Sequence, residues 1–319
     1  MPYKLAEKLP SPKSTTVEMA DFIEIECLKA AELRISHLSI VKSLDVSDDY
    51  QEDEVDEDNL VRDNAEEKRV DDAFEEIELR YQCCNKRYPF NLDREIITAN
   101  LENSTTSLIY IYLLLCTRLK MGGKNIERIF NDIDGALIFE KLCKCILENF
   151  WGSRAKSVLF GTSAAGGFSK KVEELIIELK EGGAYKSKDG VVPSANDDNL
   201  DVVVWNGFND ERCSQLIGFA QCKTGVSWKE ELYQLSPGAF TQKWFSDMPS
   251  LEPISIFMIS DIVREEFYST TAKLLFFDRC RIMDYLPESL DNTLISEIKL
   301  WLKGASVKYS LNIEGLLKN

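Results

Sequence analysis

Residues 200–225, LDVVVWNGFNDERCSQLIGFAQCKTG, constrain the fold more than any other stretch of the chain. Two apolar runs flank a polar loop, which predicts two antiparallel strands inside a sheet. With a loop of roughly ten residues, Asp201 lies opposite residues 220–223 of the second strand. Polar groups therefore gather at one end of the strand pair, where Asp201 meets Gln221 and Lys223.

The alternation of side chains along a strand assigns these groups to faces. Gln221 and Lys223 share one face, and Cys222 points to the other face, with residues such as Val202. A salt bridge between Asp201 and Lys223 at a sheet edge would account for both charges, but it leaves the amide of Gln221 unexplained. The alternative is a chemical site that uses an acid, an amide and an ammonium together.

The hydrophobic pattern changes near residue 129. Residues 1–128 are typical of a mainly helical module, with one long amphipathic helix over 17–44 and a buried helix around the apolar run 108–116. Residues 129–319 alternate helices with strands, which predicts an α/β domain with a mixed sheet. Besides the central strand pair, this domain is expected to contain helices at 134–150 and 168–182 and strands at 157–163 and 253–260.

A second carboxylate lies on the predicted helix 134–150. Ala136, Glu140, Cys143 and Leu147 fall into one column of this helix, and Glu140 is the charged member. Burying an ionised carboxylate is costly unless a cation or strong donors meet it, so a metal ion or a lysine is the expected partner. A surface glutamate that snorkels from the edge of the apolar stripe is the alternative.

Most of the net charge of −16 comes from one acidic segment, residues 45–80. This segment has 17 acids and 4 bases, a charge of −13, which leaves −3 for the rest of the chain. One interpretation is a solvated linker or helix face. The other is a mimic of nucleic-acid phosphate that shields a basic groove until a partner moves it.

The content of histidine and cysteine excludes several chemistries. The chain has one histidine, His37, which we expect to be a structural or surface residue, so Ser-His-Asp, Cys-His and HNH-type catalysis and histidine-rich zinc sites are disfavoured. The nine cysteines form no CxxC motif, and the opening residues lack the apolar core of a signal peptide. We therefore expect a cytoplasmic location.

The order GALIFEKL, DDNLDVVVW and FAQCK resembles the PD-(D/E)xK nuclease superfamily in its Q-x-K form, and is similar to Mrr-type restriction endonucleases. This resemblance covers residues 134–260 and implies a restriction-endonuclease-like core of order α-β-β-β-α-β. By position, Glu140 matches the helix glutamate and Asp201 the metal-binding aspartate. Gln221 and Lys223 match the last two members of the motif. Gln221 departs from the commoner acid, which weakens metal binding, whereas the intact Lys223 favours activity.

The resemblance implies a DNA nuclease dependent on Mg²⁺ or Mn²⁺, acting in restriction or antiviral defence. Glu140 and Asp201 are expected to hold the metal ion. The amide oxygen of Gln221 and the backbone carbonyl of Cys222 would complete the shell. Lys223 would orient or deprotonate the attacking water, or pair with the charged phosphate.

Two other classes of function stay open. One is a catalytically silent module that binds nucleic acid or protein through the same fold, and the other is an interaction protein led by its helical N-terminal region. The chain has no Walker motif, so an ATPase or helicase would be a separate protein that binds the N-terminal helices. DNA is the expected substrate, self-association stays open, and no membrane partner is expected.

Several signals near the predicted site are less specific. The loop 161–167 opens onto a helix but lacks the P-loop spacing, so it is interpreted as a turn. Asp198 is a weaker candidate for an outer role. Apolar packing is expected for 273–286, which also carries two arginines. Basic and aromatic residues that flank the site either contact nucleic acid or form surface and core; they are Lys170, Lys171, Trp228, Lys229, Lys243 and Trp244.

Overall fold

The structure is a computed structural model, and it describes residues 2–318 apart from 8, 46–56, 103, 123–125, 162–166, 187–197 and 271–273. In the first part of the chain the elements are α1 (Thr16–Lys29), β1 (Arg34–Ser36), α2 (His37–Asp45), α3 (Glu57–Cys83), β2 (Phe90–Asp93), β3 (Ile96–Ala99), α4 (Thr105–Arg118), β4 (Ile129–Phe130) and β5 (Ile133–Asp134). The later elements are α5 (Gly135–Trp151), β6 (Ala155–Leu159), α6 (Phe168–Leu179), β7 (Val202–Asn206), β8 (Leu216–Lys223), α7 (Pro237–Trp244), β9 (Ile254–Ile259), α8 (Glu265–Thr270), β10 (Leu275–Phe277), α9 (Arg279–Asp284), α10 (Asn292–Tyr309) and α11 (Glu314–Leu317).

The chain divides into two compact units. Unit 1 comprises Met1–Ile133 and Ile295–Asn319, and unit 2 comprises Asp134–Leu294. The division near residue 133 lies close to the expected boundary, but residues after 294 group with unit 1 rather than with the α/β unit. Trp301 of α10 accounts for this grouping, because its ring packs edge-on against Tyr112 and Phe130 of unit 1.

In unit 1, the expected single helix over 17–44 is wrong. α1 ends at Lys29, and Leu33 adopts a left-handed φ of 52°, which breaks the helical path before β1. β1 then pairs with β3, and β3 pairs with β2, so among the described residues a three-stranded antiparallel sheet accompanies the helices. The expected buried helix around 108–116 is confirmed as part of α4, whose apolar residues are all buried.

The acidic segment is in part a helix that packs against the core. α3 begins at Glu57 and buries Val70, Ala73 and Ile77, whereas Glu67 and Glu75 are exposed. His37 lies near this helix, with its Nε2 atom 2.8 Å from Asp71 Oδ1, in a structural role. Residues 46–56, which carry much of the charge considered as a phosphate mimic, lie outside the described residues.

A buried ion network links three helices of unit 1. Arg80 of α3 donates to Asp21 Oδ1 at 2.7 Å and to Glu24 Oε1 at 2.6 Å, both on α1. Arg118 of α4 donates to Asp21 Oδ2 at 2.6 Å. These four side chains are at most 1% exposed. The hydroxyl of Tyr88 also donates to Glu24, at 2.6 Å, so the network contains few open hydrogen-bonding positions.

Within the described part of unit 2, five strands form one mixed sheet in the order β10-β9-β8-β7-β6. β7 runs antiparallel to both of its neighbours, β6 and β8, whereas β8, β9 and β10 run parallel to one another. A mixed α/β fold was therefore predicted correctly. β10 was not expected, because 273–286 was interpreted as apolar packing without a strand. Along the chain, α6 lies between β6 and β7.

The register of β7 and β8 follows the prediction. Val202 pairs with Ala220, which places Asp201, immediately before β7, level with Gln221. Helix α5 packs on one face of the sheet, against β6 and β7. On the other face, α6 and α7 form an apolar cluster with Val203 and Phe219. No helix in the described part of the chain is long and apolar enough to cross a membrane.

Candidate active site

Glu140 and Asp201 come together beside Gly161, at the end of β6. A methyl group added to Gly161 would lie 2.9 Å from Glu140 Oε2 and 3.1 Å from Asp201 Oδ1. Both oxygens therefore border the same small space, although 61 positions separate the two residues in the sequence. Glycine leaves this space open, since any side chain would push into the carboxylates. The column on α5 thus orients Glu140 as the sequence pattern predicted.

The backbone fixes the position of Asp201. Its Oδ2 atom accepts a hydrogen bond of 2.7 Å from the Cys222 N–H, and its carbonyl accepts one of 2.8 Å from the Phe160 N–H. Its own N–H donates to the Ala220 carbonyl at 2.9 Å. Asp201 is only 9% exposed. The carboxylate is therefore bound between the two neighbouring strands, with Oδ2 committed to Cys222 and Oδ1 facing the space beside Gly161.

Gln221 is a buried amide whose polar atoms have no hydrogen-bond partner among the described residues. The Gln221 side chain is 0% exposed, and neither Oε1 nor Nε2 has a hydrogen-bond partner among these residues. Buried polar groups are usually hydrogen-bonded, and leaving one unpaired costs about 1–3 kcal/mol. The register places Gln221 beside Asp201, so the unpaired amide lies at the same end of the sheet as the two carboxylates. The resemblance noted in the sequence implies this amide as an oxygen donor, which stays a prediction.

Lys223 does not form the salt bridge with Asp201 that was considered from the sequence. Its Nζ atom lies 2.6 Å from Glu231 Oε2, and both side chains are partly exposed. Glu231 ends a short 3-10 turn, Trp228–Glu231, that follows β8. Sequence reasoning missed Glu231, because an acid eight positions after the lysine on an irregular turn follows no helical or strand period.

Two thiols lie next to the carboxylates on the α5 face of the sheet. Cys143 of α5 and Cys222 of β8 lie close together, so Cys222 points toward α5 and away from Gln221. Burial raises the pKa of the Cys143 thiol, and the charges of Asp201 and Glu140 raise it further. Burial also raises the pKa of Cys222 well above 9.0. Both thiols are therefore protonated at neutral pH and poor metal ligands.

Lys171 is a buried cation at the same corner, and not the surface residue considered from the sequence. It lies in the first turn of α6 and is 6% exposed. Its ammonium donates to the Gly161 carbonyl at 2.8 Å and to the Phe160 carbonyl at 3.3 Å. It therefore anchors the main chain of the glycine that the two carboxylates flank. A lysine in the apolar stripe of an amphipathic helix was the available signal.

The other flanking residues have structural contacts. Asp198 Oδ2 accepts from Lys243 Nζ at 2.9 Å and from the Trp244 indole at 2.8 Å, which ties the segment before β7 to α7. Trp228 and Trp244 are buried, each with a lysine ammonium over its ring, Lys229 and Lys243 respectively. Lys170 is exposed and pairs with Glu174. The loop residues 162–166 lie outside the described residues.

The donor set suits a hard divalent cation. Carboxylate and amide oxygens are ligands that Mg²⁺ and Mn²⁺ accept. Water completes the coordination shell of either ion. In the part of the chain that the structure describes, no group of three or more histidine, cysteine, aspartate and glutamate side chains is arranged around a metal position. A metal ion between Glu140 and Asp201 would therefore need donors of another kind. Gln221 shares its sheet face with Phe219 of the α6 and α7 cluster rather than with α5, so its place as a third donor stays a prediction. The N–H of Cys222 donates to Asp201 Oδ2, and its backbone carbonyl stays a predicted ligand.

Comparisons of the chain with protein-family models, with curated proteins and with solved structures find no match.

Proposed function

We propose that unit 2 is a metal-dependent nuclease that hydrolyses phosphodiester bonds in DNA. The observation that carries this proposal is the meeting of Glu140 Oε2 and Asp201 Oδ1 beside Gly161. Two acids from a helix and a strand end, gathered against repulsion between like charges, are expected where a cation is bound. The order of these acids and of Gln221 and Lys223 along the chain agrees with the resemblance to Q-x-K nucleases.

In this proposal each residue has a distinct task. Glu140, Asp201 and the Gln221 amide oxygen hold Mg²⁺ or Mn²⁺. When bound, the ion lowers the pKa of a coordinated water and neutralises charge that develops on the phosphate. Lys223 orients the attacking water or stabilises the negative charge on the phosphate. Cys222 acts through its N–H, which keeps the Asp201 carboxylate in place.

The substrate and the biological role rest on the resemblance. Similarity to restriction-like nucleases favours DNA as the substrate and defence against foreign DNA as the role. A separate ATPase or helicase that binds unit 1 would supply translocation, since the chain has no Walker motif. The acidic segment would then act on DNA binding as a salt-sensitive competitor.

A cleavage assay on the full chain tests the proposal. Purified protein is incubated with single-stranded DNA, double-stranded DNA and RNA in parallel, in Mg²⁺, in Mn²⁺ and in excess chelator. We expect metal-dependent cleavage of DNA that Lys223→Ala lowers by on the order of 100-fold or more. DNA binding without cleavage in any metal would indicate the silent binding module instead, and faster cleavage of RNA would change the substrate class.

Gly161→Ala is expected to lower metal-dependent cleavage by about 10- to 100-fold, because the new methyl group displaces the flexible end of Glu140. The fold should be retained, since the nearest atoms belong to side chains that can move. The matched control is Gly167→Ala in the same connection, where no atom of the described residues lies within 4 Å of the added methyl group. The measurement is cleavage rate together with the melting temperature. Equal rates for both variants would contradict the placement of the site beside Gly161.

A further inference from the structure

Glu231 lies on an element that is firmly attached to the sheet. Trp228, which begins the same 3-10 turn, is 1% exposed, and its indole N–H donates to Asp261 Oδ2 at 3.0 Å. Leu232, which directly follows Glu231, packs with Phe257 and Ile259 of β9. Trp228 and Leu232, on either side of Glu231 in the chain, are thus held in the core. The backbone position of Glu231 is therefore set by packing.

The backbone of Lys223 is fixed as well. Lys223 is the last residue of β8, level with Ile259 of β9, so its backbone is fixed by the parallel ladder. Its side chain is long and partly exposed, and such a chain samples many rotamers unless a partner selects one. Its ammonium forms an ion pair with Glu231, with Nζ 2.6 Å from Oε2. Packing therefore fixes both backbones, and the ion pair restrains two side chains that are 26% and 33% exposed.

We propose that Glu231 is a positioning residue that holds the Lys223 ammonium in its working place. This inference rests on the proposed function of Lys223 and adds a residue that the Q-x-K pattern does not contain. A surface ion pair alone contributes little to stability, so the expected effect is on catalysis rather than on folding. A catalytic group held in one geometry by a neighbouring residue reacts faster than the same group left to sample many.

Kinetics on Glu231→Gln test this role. The substitution keeps the size of the side chain and removes its charge. We expect kcat to fall on the order of 10- to 100-fold with KM changed by less than about threefold and the melting temperature unchanged. Glu231→Asp keeps the charge on a shorter side chain and should give an intermediate kcat. Glu230→Gln, an exposed acid on the same turn, should equal the unmodified protein.

Each alternative has its own result. A kcat for Glu231→Gln within about twofold of the unmodified protein, while Lys223→Ala is inactive, would overturn the positioning role and leave the nuclease intact. A higher kcat for Glu231→Gln would also overturn it, because Glu231 would then restrain the lysine as a competitor of the phosphate. Absence of metal-dependent cleavage by the unmodified protein would overturn the proposed function, and the role of Glu231 with it.

Discussion

Asp201→Asn is expected to abolish metal-dependent cleavage, with a loss of about 1000-fold or more. The substitution removes one of the two carboxylates beside Gly161, and losing several kcal/mol of charge stabilisation corresponds to a factor of this size. Asparagine is preferable to alanine, because its amide oxygen can still accept the hydrogen bond from the Cys222 N–H. Alanine would leave a buried N–H unpaired and confuse loss of function with loss of stability.

The matched control for this prediction is Asp198→Asn. Asp198 lies three positions earlier and has a carboxylate in contact with Lys243 and Trp244 rather than with Gly161. We expect it to retain cleavage within a few-fold, although it loses a partly exposed ion pair. The measurement is the rate of DNA cleavage in Mn²⁺, with the melting temperature of each variant determined in chelator. Retained activity in Asp201→Asn, or equal loss in both variants, would argue against the assigned site.

The central strands and their polar residues were predictable because short-range periodicity determines them. Alternation along 200–225 predicted the register that places Asp201 level with Gln221, and the helical column placed Glu140 in line with Cys143 on α5. Each inference needed only the period of one element and the length of one loop. The meeting of Glu140 with Asp201 was an expectation from the resemblance, and it agrees with the space beside Gly161.

Other features depend on long-range packing that no local period encodes. Lys171 and Glu231 acquire their contacts from neighbours brought together by the fold. The helix expected over 17–44 failed for a related reason. Leu33 to Ser36 can continue an amphipathic pattern, but a turn there lets β1 pair with β3, and pairing to a distant strand overrides helix propensity. α10 joined unit 1 through Trp301, a contact with a residue far away in the sequence.

The ion network of unit 1 leads to the second large expected effect, which concerns stability. Arg80→Met is expected to lower the free energy of unfolding by about 3–5 kcal/mol, because Asp21 and Glu24 stay buried after losing a shared cation. Methionine keeps most of the volume of the side chain, so the loss reports on charge and hydrogen bonds rather than on a cavity. The measurement is urea denaturation of the full chain, monitored by circular dichroism.

A second variant separates uncompensated charge from lost packing. Adding Glu24→Gln to Arg80→Met removes one of the buried carboxylates that lost its cation. The amide oxygen of the new glutamine can still accept a hydrogen bond from the hydroxyl of Tyr88. The double variant should therefore be more stable than Arg80→Met alone, a coupling expected only if the buried charge causes the loss. Lys68→Met, at an exposed position of the same helix, is the control and should change stability by less than about 0.5 kcal/mol. If Arg80→Met and Lys68→Met were equally stable, the four buried charges would not be what holds α1, α3 and α4 together.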